Sequence, residues 1–214
     1  MLAGSVTIVS SFALQAWQGT RSGQLDELDL AHGAVCGTGP GRRYATRQLN
    51  HAYAVAIASQ FQGFCRDLHS ECVDVVANAI HSVGESGAMN SSAIADIALT
   101  ALTRNRQLDR GNASPGSIGA DFKSFDLDIW DAANQLDART AIRSRRLEQL
   151  NIWRNAIAHQ DFDFTRHQRE VLAGATRLVL GEVRAFRSCC NRLAVTLDRV
   201  LARHVESIVG GRPW

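Results

Sequence analysis

The stretch LNHAYAVAIASQFQGFCRDLHSECVDVVANAIHSV, residues 49–83, decides the fold class. In it Leu49, Tyr53, Ile57, Phe61, Phe64, Leu68, Cys72, Val75, Ala79 and Val83 recur every three or four residues, which places them along one face of a helix of about nine turns. A stripe of that length has to be covered by other elements, and the rest of the chain supplies helical partners. Val183, Phe186, Cys190, Leu193, Leu197, Val200, Val205 and Ile208 describe a second long helix, stopped by Gly210-Gly211. Between the two, a weaker helix over residues 92–104 turns Ile94, Ile97, Ala98, Ala101 and Leu102 inward, and residues 111–116 form the clearest loop. From Asp121 the helical pattern returns in two pieces. The first carries Phe122, Phe125, Ile129 and Trp130; the second carries Ile142, Leu147, Leu150, Trp153 and Ile157. Residues 161–180 have no clear period, and no alternating run interrupts the series. The expected architecture is all-α, a helical bundle built on two long helices with shorter helices packed across them.

Composition agrees with a folded domain. In 214 residues, 45% are hydrophobic, 21% are charged and three are proline, which excludes a disordered or collagen-like chain. The 23 cationic residues include a single lysine, Lys123, yet 21 acids leave a net charge of only +2, so bulk charge does not announce a nucleic-acid partner. Five cysteines, Cys36, Cys65, Cys72, Cys189 and Cys190, form no Cys-x-x-Cys pair; a disulfide framework is not expected and a reducing compartment, the cytoplasm, is. Apolar residues 2–17 lack a basic flank and are too short to span a bilayer, so no membrane partner is expected and the segment reads as a docking piece or as untidy sequence upstream of the domain. Glycines at 19, 23, 33, 37, 39 and 41, with Pro40, make residues 19–43 look like a linker or mobile arm. The chain thus divides into an N-terminal segment, 1–44, and a helical domain, 45–210.

Chemistry concentrates in Leu150-Asn151-Ile152-Trp153-Arg154-Asn155-Ala156-Ile157-Ala158-His159-Gln160-Asp161-Phe162. Arg154 and His159 are five positions and about 140° apart on a straight helix, so they serve one site only if the helix ends near His159. The change of pattern at Gln160-Asp161-Phe162 predicts such an end. An imidazole exchanges protons near neutrality, and a guanidinium offers a planar fork of donors to phosphate oxygens without losing its charge. RNA cleavage by the 2′-hydroxyl requires those two services and no metal. The competing reading pairs Arg154 with Glu148 or Asp161 and has His159 cap its own helix.

Arg154-Asn155 with His159 resembles the Arg-x4–6-His motif of the HEPN superfamily, and residues 49–68 are similar to the first long helix of RiboL-PSP-type HEPN proteins. The likeness spans about residues 45–208. It implies a metal-independent endoribonuclease with Arg154, Asn155 and His159 as catalytic residues, leaving a 2′,3′-cyclic phosphate and a 5′-hydroxyl. It also implies a homodimer that joins two motif helices, a toxin or defence role, and an antitoxin partner. The cluster Arg139, Arg143, Arg145 and Arg146 lies upstream; Arg143 and Arg146 share a face with Arg154 and are the expected RNA-binding pair, the alternative being a solvated flank balanced by Asp131, Asp137 and Glu148.

Other constellations are weaker. Cys65, His69 and Cys72 lie on one stripe but lack a fourth metal ligand and coincide with the apolar face; His32 and Cys36 sit in the glycine-rich segment. No phosphate loop, nucleophile elbow, His-Glu-x-x-His pair or dinucleotide fingerprint occurs, so neither a metal nor a cofactor is expected. Two rivals to the ribonuclease remain: a non-catalytic helical module for RNA or nucleotide contact, and a protein-interaction bundle that docks through its apolar N-terminus.

Overall fold

The computed structural model describes residues 10–36, 45–84 and 91–214. Every regular element in them is helical. In chain order these are α1 (Phe12–Ala16), α2 (Ser22–Cys36), α3 (Ala45–Gly84), α4 (Ser91–Thr103), α5 (Pro115–Phe122), α6 (Ile129–Leu136), α7 (Thr140–His159), α8 (Arg166–Val171) and α9 (Leu180–Val209). A π-helical turn, Trp17–Arg21, joins α1 to α2. The bundle is all-α, with α3 packed against α9, α4, α2, α1 and α7, and α9 covered in turn by α7 and α6. Among the described residues no helix is long and apolar enough to cross a membrane.

The two long stripes meet as their periodicity requires. Tyr53, Ile57, Phe61, Phe64, Leu68 and Cys72 of α3 are buried against Val183, Phe186, Cys190, Leu193, Leu197 and Val205 of α9 and against Leu147, Leu150 and Trp153 of α7. Gly210, in the left-handed conformation, ends α9. The third helix sits differently from its pattern: Ala95 of α4 is buried, while Ile97 is 68% exposed and Ile94 is also exposed. The methyl side chain of Ala95 allows close approach to α3, and that rotates the bulkier isoleucines outward. Ile142 is exposed too, between the buried Thr140 and Leu147 of α7.

The glycine-rich arm is corrected by the structure. Residues 22–36 form a helix, and Leu14, Trp17 and Leu25 are buried in the main core. Trp17 meets Phe61 edge-on at 5.6 Å, and its indole N–H donates to Asn191 at 3.1 Å. Arg187 of α9 clamps the start of α2, donating to the Ser22 hydroxyl and to Tyr53 Oη and pairing with Asp26 at 2.7 Å. Gly63 of α3 leaves room where Arg21 crosses: a Cβ there would lie 2.6 Å from Arg21 Nη1, which donates to Gln60, while Nη2 pairs with Asp67, so a side chain at 63 would displace the guanidinium from both partners. Gly19, Gly23 and Gly33 face open space, so they weaken the helix without preventing the packing that stabilises it. The remaining glycines of the arm, the Cys36 side chain and the apolar residues before Ser10 lie outside the described residues.

Ser11 joins this segment to α9. Its hydroxyl caps α1 by accepting from Leu14 N–H and donates to the buried Asp198 carboxylate, which also accepts from the Ser11 backbone. Ser11→Ala is expected to cost about 1–2 kcal/mol, read as a lower urea midpoint; an unchanged midpoint would mean that the N-terminal segment does not brace the bundle.

Candidate functional site

The motif occupies the end of α7, whose buried Leu147, Leu150, Trp153 and Ala156 hold it to the core. Trp153 also meets Phe164 edge-on at 5.2 Å. As the pattern change predicts, the helix ends at His159. Gln160 takes the left-handed conformation at φ 54°, its N–H pointing back to the carbonyl of Ile157 at 3.3 Å, while Asp161 N–H reaches Ala156 at 3.0 Å. Those two bonds form the reverse turn that closes many helices. The last carbonyls are therefore served by Gln160 and Asp161, and capping is not the task of the His159 side chain. The imidazole is exposed and, among the described residues, takes part in no hydrogen bond or ion pair.

Arg154 is half-buried and pairs with neither Glu148 nor Asp161. Its Nη1 donates to Asn155 Oδ1 at 3.1 Å, and the same oxygen accepts from Asn112 Nδ2 on the loop before α5. Asn155 thus orients the guanidinium rather than the imidazole. Asn151, one turn earlier, fixes the Asn112 loop by donating to Ala113 O at 3.0 Å.

Two cavities run along this face. One of about 210 Å³ is lined by His159, Asn155, Asp161, Asp163, Phe164 and Gln168. The other, about 370 Å³, is lined by Asn112, Ser114, Glu148, Asn155, His167 and Gln168 among others. Ile152, Asn155 and Gln168 belong to both, so the two form adjoining parts of one groove between α7 and α8. The helix α8 is held there by a reciprocal cap between Thr165 and Gln168, and by Gln149 donating to Val171 O at 2.7 Å.

Sequence reasoning missed the second wall. His167 and Gln168 fall in the stretch of unclear period, and the Thr165-x-x-Gln168 spacing is the signal that would have started a helix there. The upstream arginines are placed elsewhere. Arg143 pairs with Asp137 at 2.5 Å, holding that carboxyl below the usual range, and Arg146 pairs with Glu182 at the start of α9. Neither lines the groove. Asp137 is one of the acids expected to balance this flank, and Glu182 is not.

The cysteine–histidine stripe is core. Cys65, Cys72, Cys189 and Cys190 are buried free thiols, and burial raises the pKa of each. Among the described residues, no group of three or more His, Cys, Asp or Glu side chains is gathered as for a metal ion.

Fold and groove define a helical bundle with an imidazole, a guanidinium and amide side chains at one helix end. Compared with protein-family models, curated proteins and solved structures, the chain matches none.

Proposed function

We propose that this chain is a metal-independent endoribonuclease of HEPN type, cleaving RNA through attack of the 2′-hydroxyl on the adjacent phosphate. The observation that supports this most is the closure of α7: Gln160 and Asp161 take up the helix-capping role, which frees the His159 imidazole to line the groove; Arg154 is not in the groove lining and is tied to it through Asn155, which is. In this reading His159 moves the proton of the attacking hydroxyl, and Arg154 stabilises the charge that gathers on the phosphorane. His167, in the adjoining cavity, is a second imidazole on the same groove and suits the leaving 5′-oxygen.

Asp161 and Asp163 beside His159, and Glu148 further along, make the groove of a single copy electrostatically mixed. A phosphate backbone needs more cation than one Arg154 supplies. A homodimer with the two α7 ends facing across a twofold axis would double it without further sequence. A role as a toxin or defence effector held by an antitoxin protein belongs to the same reading.

The test is incubation of the chain in chelator with a labelled RNA, beside the same RNA carrying one 2′-deoxy residue at the scissile position. Expected are a 2′,3′-cyclic phosphate and a 5′-hydroxyl, with the deoxy substrate uncut. Cleavage of the deoxy substrate, or an absolute need for a divalent ion, would overturn the mechanism. Binding without cleavage would favour the helical RNA-binding module. A strict monomer in ultracentrifugation that still cut RNA would remove the dimer.

A further inference from the structure

A larger cavity, about 500 Å³, lies on another side of the bundle, where the first turns of α3 meet Trp153 of α7, Phe162 and the segment leading into α9. None of Arg154, Asn155 and His159 lines it, so a ligand bound there would not occupy the α7–α8 groove.

Three observations characterise it. The first is charge: among the described residues its lining holds Arg47 and Arg177 and no carboxylate, and neither arginine has an ion-pair partner. Cations left unpaired around a concave surface attract an anion, and a guanidinium fork suits phosphate or carboxylate oxygens. The second is an orphaned acceptor. Asn50 is buried, with 6% of its surface exposed; its Nδ2 donates to Leu178 O at 3.0 Å, which fixes the amide orientation and leaves Oδ1 without a partner. A buried carbonyl oxygen without a donor keeps its full desolvation cost, which a ligand N–H at the cavity floor would relieve. The third is the wall. The Phe162 ring carries the Arg47 guanidinium at 5.7 Å and stacks with the His51 ring at 5.5 Å, and the buried Trp153 is part of the lining. Burial, and then Arg47, lower the His51 pKa, so the imidazole is neutral at neutral pH and leaves the anion to the arginines.

We propose that this cavity binds a small planar molecule that carries a ring amine and an anionic group, its amine donating to Asn50 Oδ1, its ring against Trp153 and Phe162, and its anion held by Arg47 and Arg177. The volume suits a mononucleotide or a smaller aryl acid, far below what a polymer requires. Adenosine monophosphate carries all three features. Inosine monophosphate replaces the amine by an oxo group that would face Asn50 Oδ1 acceptor to acceptor, and 2-aminobenzoate keeps amine and ring with a carboxylate in place of phosphate.

Titration calorimetry on the full chain with these three compounds tests the assignment. Adenosine monophosphate or 2-aminobenzoate is expected to bind, the stronger of the two identifying a phosphate or a carboxylate tail. Inosine monophosphate should bind about tenfold more weakly than its adenosine counterpart if phosphate is the tail. Arg47→Ala and Arg177→Ala, both at exposed positions whose loss leaves the core intact, should each weaken the preferred compound about tenfold. Phe162→Leu should weaken it while keeping the apolar wall. Failure of both amine-bearing compounds to bind at millimolar concentration would overturn the proposal, as would native affinity in both arginine variants.

Discussion

His159→Ala is expected to slow RNA cleavage in chelator by about 10²–10⁴-fold, the range that removal of a positioned general base produces. The fold should be untouched, because the imidazole is exposed and the helix end is closed by its neighbours' backbone; the change in unfolding free energy should stay within about 0.5 kcal/mol. Arg154→Ala should cost about 10²–10³-fold through loss of charge stabilisation in the transition state, appearing in kcat more than in KM. Arg154→Lys keeps the charge but not the planar fork, and should recover only a small part of the rate. Asn155→Ala separates positioning from chemistry. It releases the guanidinium from the one side-chain acceptor it has among the described residues, and should lower kcat about tenfold while leaving the pH profile in place. His159→Ala should instead remove one limb of that profile. Combined substitutions should fall well short of the product of the single effects, since groups that act on one phosphate fail together. Native cleavage by both His159→Ala and Arg154→Ala would exclude the groove as the site.

The reasons why parts of this molecule were legible are physical. Side-chain period survives folding when one face is buried along its whole length, which is why Tyr53, Ile57, Phe61 and Phe64, and Val183 through Leu197, could be placed from spacing alone. The end of α7 was legible because the apolar pattern stops where the left-handed Gln160 reverses the chain. Glycine content misled at residues 19–36. Helix propensity there is poor, but Trp17 and Leu25 bury against α3 and Arg187 clamps the segment from 165 residues away, an interaction no local pattern contains. The ion pairs of Arg143 and Arg146 were illegible for a related reason: angle on a helix says which residues share a face and nothing about Asp137 and Glu182, with which they pair. Arg47, Asn50, Phe162 and Arg177 are gathered from three distant segments, so their cavity exists only after folding.

Acid should destabilise the bundle chiefly through His69, whose share is about 2 kcal/mol between about pH 7.5 and about pH 5. His69 of α3 is fully buried, with ring centroids 5.3 Å from Phe122 and 5.1 Å from Phe125, and among the described residues neither ring nitrogen makes a hydrogen bond of normal geometry. Burial first, and the Arg106 charge second, push its pKa down to about 4, against a weaker opposite pull from Asp121 and Asp109. The sign comes from proton counting. Above the unfolded value of about 6.5 the imidazole is neutral in both states and contributes no pH dependence. Between about 6.5 and about 4 the unfolded chain binds the proton and the folded chain refuses it, so stability falls with pH, and below about 4 the full difference of about 3 kcal/mol has been lost. His51, held low by burial and Arg47, adds in the same direction. Asp198, whose carboxyl burial pushes up, opposes it by taking a proton in the folded state first. Urea denaturation across this range measures the slope, and His69→Leu isolates it. The variant should lose most of the dependence between about pH 6.5 and about pH 5, whatever the substitution costs at neutrality. A native protein equally stable at both ends of the range, or a leucine variant with the native slope, would show that His69 is not kept neutral by its aromatic surroundings.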